Sequence, residues 1–103
     1  VTGVEVEDLR TGARRELFCD GLFVAIGRVP DTALFAGQVE LDPSGYIVAD
    51  ETTRTSVPGV FAVGDARTKA VRQIVTAVAD GAVAAHYAEE FLLEDAVKDK
   101  NLS

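Results

Sequence analysis

Leu22-Phe23-Val24-Ala25-Ile26 limits the folding of this chain more than any other stretch. It is an apolar run of strand length with no polar interruption. A strand with one face in water alternates in character, whereas one covered on both faces does not. This run therefore demands structure above and below it. Asp20-Gly21 introduces it with a turn signal, and Gly27-Arg28-Val29-Pro30 ends it.

Upstream, Val4-Glu5-Val6-Glu7 alternates with the period of a half-buried strand. A turn over Asp8 to Gly12 and a returning strand from Arg14 to Phe18 predict an antiparallel hairpin, with arginines near the glutamates. Downstream of Pro30, Asp31 or Thr32 is suited to cap a short helix through Leu34-Phe35. Residues 37–55 read as loop, with a brief strand candidate at Tyr46-Ile47-Val48. Pro58-Gly59 suits the central positions of a type II turn, where Pro presets φ and Gly accepts a positive one. Val60 to Val63 then reads as a short buried strand ended by Gly64.

A helix is expected from about Val71 to Leu93, with Ile74, Val75, Val78, Ala82 and Ala85 in helical period. Ala77, Gly81, Ala84, Ala85 and Ala88 make one side small. Gly81 costs a helix about 1 kcal/mol against Ala, so another backbone is expected to pack closely there. From Glu89 to Lys100 the charged residues gather, and the helix should reach solvent and fray. The expected fold class is mixed α/β: an N-terminal hairpin plus a strand, then a C-terminal strand and a long helix.

Composition narrows the function. The 103 residues carry a formal net charge of -7, with 48% apolar content, which fits one small folded domain. The longest basic run is Arg14-Arg15, so no nucleic-acid partner is expected. The apolar stretches are too short to cross a membrane. No leader-like segment precedes the first strand, so the cytoplasm is the expected compartment. Cys19 is the only cysteine. It cannot form an internal disulfide or a Cys-x-x-Cys pair, and it reads as a small buried hydrophobe rather than a reactive thiol. The single His86 reads as a helix-face residue. No metal site and no catalytic residue is expected.

Chemistry concentrates between Val60 and Gln73. Gly64 lacks a Cβ, so a ligand can approach its backbone. Asp65 presents a carboxylate just past the carboxyl end of a strand, where open α/β sheets bind ligands. That carboxylate suits the hydroxyls of a sugar or sugar alcohol; the alternative is a plain strand-ending turn. Lys69-Ala70-Val71-Arg72-Gln73 then offers no Ser, Thr, Asp or Asn directly ahead of the apolar period to cap the free amides. A ligand can supply the acceptor, and the helix dipole favours an electron-rich one. A flavin's pyrimidine edge fits, with Arg72 and Gln73 as further donors. Capping from Thr68 or by water is the alternative.

Three ordered motifs resemble the bacterial thioredoxin reductases, of the FAD-dependent pyridine nucleotide-disulfide oxidoreductase family. Gly21 to Thr32 is similar to the segment leading from their NADPH domain back into the FAD domain. Thr55 to Asp65, reading T-x-V-P-G-V-F-A-x-G-D, resembles their second FAD-binding motif. Arg72-Gln73-Ile74 and the helix from Thr76 to Ala85 continue it in order. The resemblance covers roughly residues 1–93. Asp31 stands where the family often has Asn.

The resemblance implies that Asp65 binds the FAD ribityl hydroxyls and that the Gly64-Asp65 backbone lies near the pyrophosphate. It implies that Arg72, Gln73 and Ile74 line the isoalloxazine, and that Gly27 lies close to the nicotinamide nucleotide. Residues 1–28 would be the terminal strands of an NAD(P)-binding domain and 29–103 the C-terminal part of an FAD-binding domain. Neither a Gly-x-Gly-x-x-Gly fingerprint nor a Cys-x-x-Cys pair occurs in the chain. The expectation is therefore a C-terminal piece of a longer FAD- and NADPH-dependent enzyme, inactive alone. That enzyme would have thioredoxin as its substrate and would form a homo-oligomer. The alternatives are a self-associating chain that binds no flavin, and a related flavin reductase with another acceptor, such as a peroxiredoxin-type partner, ferredoxin or oxygen.

Overall fold

A computed structural model describes residues 1–101. Its elements are strand β1 (Gly3–Glu7), strand β2 (Arg14–Phe18), single 3-10 turns at Ala33–Phe35 and Gly64–Ala66, and helix α1 (Ile74–Asn101). The class is mixed α/β, as the patterning requires.

The hairpin forms where the alternation predicts it. β1 and β2 pair antiparallel with Val4 opposite Leu17 and Glu7 opposite Arg14. Arg14 donates from Nε to Glu7 Oε2 at 3.0 Å and from Nη1 to Glu5 Oε1 at 3.4 Å. Gly12 closes the turn at φ 71°, its amide donating to the Asp8 carbonyl.

The apolar run behaves otherwise. Leu22 to Ile26 forms no strand, and Phe23 and Ile26 are 97% and 92% exposed. No helix or strand among the described residues covers it, so the two-sided cover it demands is not supplied by them. Val60 to Val63 departs from expectation for the same reason. Phe61 makes one isolated bridge to Arg54, Ala62 is buried, and Val60 and Val63 face outward. Tyr46-Ile47-Val48 is likewise reduced to bridges, from Ile47 to Leu41 and to Arg67.

The interior is small. Ile47, Ala49 and Ala62 are buried together, with Val39 and Leu41 packed against them. Thr68 ties this cluster from outside: its hydroxyl donates to the Ala49 carbonyl at 2.8 Å and accepts from the Ala49 amide at 3.2 Å. The Pro58-Gly59 turn forms as predicted, with Val60 N–H donating to the Val57 carbonyl and Gly59 at φ 79°. Thr32 occupies the N-cap position of the Ala33–Phe35 turn, yet its hydroxyl donates to the Gly45 carbonyl and caps nothing. Cys19 is half-buried rather than fully enclosed.

Helix α1 begins at Ile74 rather than near Val71, and it continues through the charged segment to Asn101. It docks through Ala77, Asp80, Tyr87 and Phe91. Arg54 donates to Glu90 at 3.0 Å and lies 4.5 Å from the Tyr87 ring centroid. A Cβ on Gly59 would come within 3.0 Å of the Phe91 ring. The periodic residues Ile74, Val75 and Val78 point away from this contact and are exposed. A Cβ on Gly81 would meet nothing within 4 Å, so the close backbone approach expected there does not occur among the described residues. The Cα radius of gyration is 21.4 Å, against roughly 13 Å for a compact chain of about 100 residues.

Candidate cofactor site

The Gly64–Ala66 turn is held from inside by Asp80 on α1. Asp80 Oδ2 accepts from the Gly64 amide at 2.9 Å, from Arg67 Nε at 2.8 Å and from Lys69 Nζ at 2.7 Å. Its Oδ1 accepts from Arg67 Nη2 at 2.8 Å. The pairing of Arg67 with Asp80 is thus bidentate, the strong form of the contact. It is also buried, with Arg67 2% and Asp80 6% exposed. The Arg67 hydrogen bonds hold the Asp80 carboxyl far below the usual carboxylate range despite burial, helped by Lys69 and the Gly64 amide. The same bond raises the Arg67 pKa. Gly64 sits at φ 71°, and a Cβ there would pack 3.7 Å from Ala77 Cβ.

Asp65 turns outward from this anchored segment. Its carboxylate is exposed, with Oδ2 at 3.6 Å from Arg28 Nη1. Arg72 donates from Nε to the Asp65 carbonyl at 3.3 Å and from Nη2 to the Arg67 carbonyl at 3.1 Å. Its guanidinium lies 3.7 Å from the Tyr46 ring centroid. Arg28, Pro30, Tyr46, Asp65, Ala66 and Arg72 border one open cavity of about 340 Å³. The Asp65 amide has no acceptor among the described residues.

At the helix start, Gln73 is the N-cap: its carbonyl accepts the Ala77 amide at 3.0 Å. Thr76, three residues on, returns its hydroxyl to the Gln73 amide at 3.0 Å. This is one half of a capping box, with Thr in place of the usual Glu or Gln. Thr68 does not cap the helix, since its hydroxyl is engaged with Ala49. The amides of Ile74, Val75 and Thr76 have no acceptor among the described residues.

Gly64, Asp65 and Arg72 therefore meet in one place, and Gly27 lies one residue from the Arg28 contact. Gly27 itself is exposed at φ 111°. Gln73 and Ile74 stand at the helix start with exposed side chains that do not line the cavity. Sequence reasoning missed Arg67, Lys69 and Asp80. The available signal was a lone acidic residue in phase with Ala77 and Ala84, on the small side of the helix, with two cations just upstream. Among the described residues no cluster of His, Cys, Asp and Glu could hold a metal ion, and no helix is long and apolar enough to cross a membrane.

Comparison with known proteins agrees with this architecture. The family described as "Pyridine nucleotide-disulphide oxidoreductase" matches residues 1–81. The thioredoxin reductase of Treponema pallidum is 50% identical over 92 residues, covering 89% of this chain and 30% of that protein. That of Rickettsia conorii is 50% identical over 93 residues with the same coverage. Among solved structures, the thioredoxin reductase of Lactococcus lactis in its FR conformation superposes with a TM-score of 0.70 at 40% identity. It covers 90% of this chain and 31% of that one. That of Streptococcus pyogenes gives 0.72 at 38%, over 90% and 30%.

The fold is thus that of a segment of the thioredoxin reductase structures on which it superposes. The chain belongs to the pyridine nucleotide-disulphide oxidoreductase family. It spans about 30% of the length of the curated relatives it matches.

Proposed function

We propose that this chain is the C-terminal portion of a flavin-dependent NADPH:disulfide oxidoreductase that reduces thioredoxin, and that it supplies part of the FAD site. The carrying observation is the exposed Asp65 carboxylate on a buried-side anchored turn, beside helix amides that lack acceptors. The residues suit the group. A carboxylate accepts from ribityl hydroxyls, while the free amide of Asp65 can donate to phosphate oxygen. The Ile74 to Thr76 amides, at the positive end of the helix dipole, favour an electron-rich carbonyl. Arg72, Gln73 and Ile74 would border the isoalloxazine, and Gly27 the nicotinamide nucleotide.

When bound, the flavin supplies hydride acceptance from NADPH and delivery of electrons to a disulfide. The chain's own residues bind and orient it, and they lack a thiol pair for the disulfide step. In this reading residues 1–28 close the NAD(P)-binding domain, 29–103 belong to the FAD-binding domain, and the enzyme is a cytoplasmic homo-oligomer. The chain alone is inactive.

The exposed Leu22 to Ile26 run and the outward Ile74, Val75 and Val78 support a second reading for the isolated chain, self-association without flavin. Titration with FAD tests both. The isolated chain is expected to stay colourless. The longer polypeptide containing it is expected to retain FAD, with Asp65→Ala weakening retention. Unchanged FAD affinity in that variant would refute the role of Asp65.

A further inference from the structure

We infer that Asp80 is a positioning residue for the cofactor site: it fixes both ends of the Gly64–Arg67 segment, so that Asp65 stands outward before any ligand arrives. This rests on the flavin reading above. The Gly64 amide and the Arg67 guanidinium, at the two ends of the segment, bond the same carboxylate. Only Asp65 and Ala66 lie between them. A two-residue bridge with both ends tied to one point has little freedom left. The segment is closed further by the Arg67 amide, 3.5 Å from the Gly64 carbonyl.

The anchor also sorts the turn's donors and charges. The Gly64 amide is consumed inward, so it is withheld from a ligand, while the Asp65 amide is left without an acceptor among the described residues. Arg67 and Lys69 are drawn inward to Asp80, with side chains 2% and 5% exposed. These two cations therefore do not compete for Asp65, which keeps only the longer contact to exposed Arg28. Arg67 Nη2 also lies 3.6 Å from Glu51 Oε1, so without the Asp80 charge Glu51 is the carboxylate already at hand and Lys69 is the cation released. Prior ordering of this kind lowers the cost of binding, because the site loses less freedom when the ligand docks.

The test uses the longer, FAD-binding polypeptide and measures FAD affinity by fluorescence titration of the apoprotein. Asp80→Asn keeps the volume and one acceptor oxygen but removes the charge. It is expected to weaken FAD binding roughly tenfold. In an Asp65→Ala background the same change is expected to cost clearly less, because the carboxylate is gone and only the turn's amide is left to position. Losses that simply multiply would show that Asp80 acts through the fold at large, and would overturn the inference. If Asp80→Asn does not fold, Asp80→Glu, which keeps the charge but displaces it by one methylene, is put through the same cycle with the same criteria. If Asp65→Ala alone leaves FAD affinity unchanged, the reading of the turn as a ribityl site fails first, a result distinct from the multiplicative one.

Discussion

The guanidinium of Arg72 lies over the ring of Tyr46, its Cζ 3.7 Å from the centroid, while its nitrogens donate to the carbonyls of Asp65 and Arg67. Arg72 is thus committed to the protein by this ring contact and by two donated hydrogen bonds. Its contribution to the cavity is a fixed cationic wall rather than a mobile arm. Tyr46→Leu keeps apolar bulk but removes the ring face, and is expected to cost about 1 kcal/mol. Urea denaturation in a cycle with Arg72→Met checks this, since the Tyr46→Leu loss should shrink once the cation is gone.

Asp80→Ala leaves the buried Lys69 without its carboxylate and Arg67 with only the longer contact to exposed Glu51. The expected loss is about 3 kcal/mol of folding stability, read as a lowered denaturation midpoint. Lys69→Met keeps the Arg67 bidentate pair and the Gly64 bond, and is expected to cost less than half as much.

The same carboxylate predicts an acid dependence. Its folded pKa lies below the ordinary value of 3.8, so in acid the unfolded state binds more protons there. The stabilisation is fully present above the unfolded value and is lost as pH falls toward the folded one. Stability of the wild-type protein should therefore fall below about pH 4. Asp80→Asn should flatten that part of the profile in pH-dependent urea melts, and an unchanged slope would contradict this account.

Thr53 is fully buried at φ 64°, and its hydroxyl has no hydrogen-bond partner among the described residues. Thr53→Val keeps the β-branched shape and the same backbone strain, so it isolates the hydroxyl. Removing that unsatisfied group is expected to gain about 1 kcal/mol, seen as a raised urea midpoint.

The uncovered run at Leu22 to Ile26 predicts association of the isolated 103-residue chain. Sedimentation velocity should find species larger than a monomer. Phe23→Ser with Ile26→Ser should shift them toward the monomer; a wild-type chain that sediments as a monomer at high concentration would count against it.

How far the fold is legible follows from the range of the forces involved. The hairpin, the Pro58-Gly59 turn and the Gly64-Asp65 turn are governed by neighbouring residues, and local pattern predicts each of them. The burial of Leu22 to Ile26 and the close approach at Gly81 depend on partners distant in sequence or outside the chain. There the pattern states a demand that the described residues do not meet. The helix start is an intermediate case: the missing N-cap side chain is visible in the sequence, but Thr76 reaching back to Gln73 takes the geometry of a formed turn. Asp80 was the hardest to read, because its partners converge only when α1 docks on the 64–69 segment. The meeting of Gly64, Asp65 and Arg72 is approachable from sequence because they lie close together along the chain as well as in space.

Thr76 makes the first turn of α1 independent of whatever docks beside it. Because the protein itself occupies the Gln73 amide, the helix needs no ligand to define its first residue, and its register should be the same in the empty and loaded states. Hydrogen exchange turns that into a built-in reporter: Gln73 should be protected in both states, whereas Ile74, Val75 and Thr76 should slow only when a ligand accepts their protons.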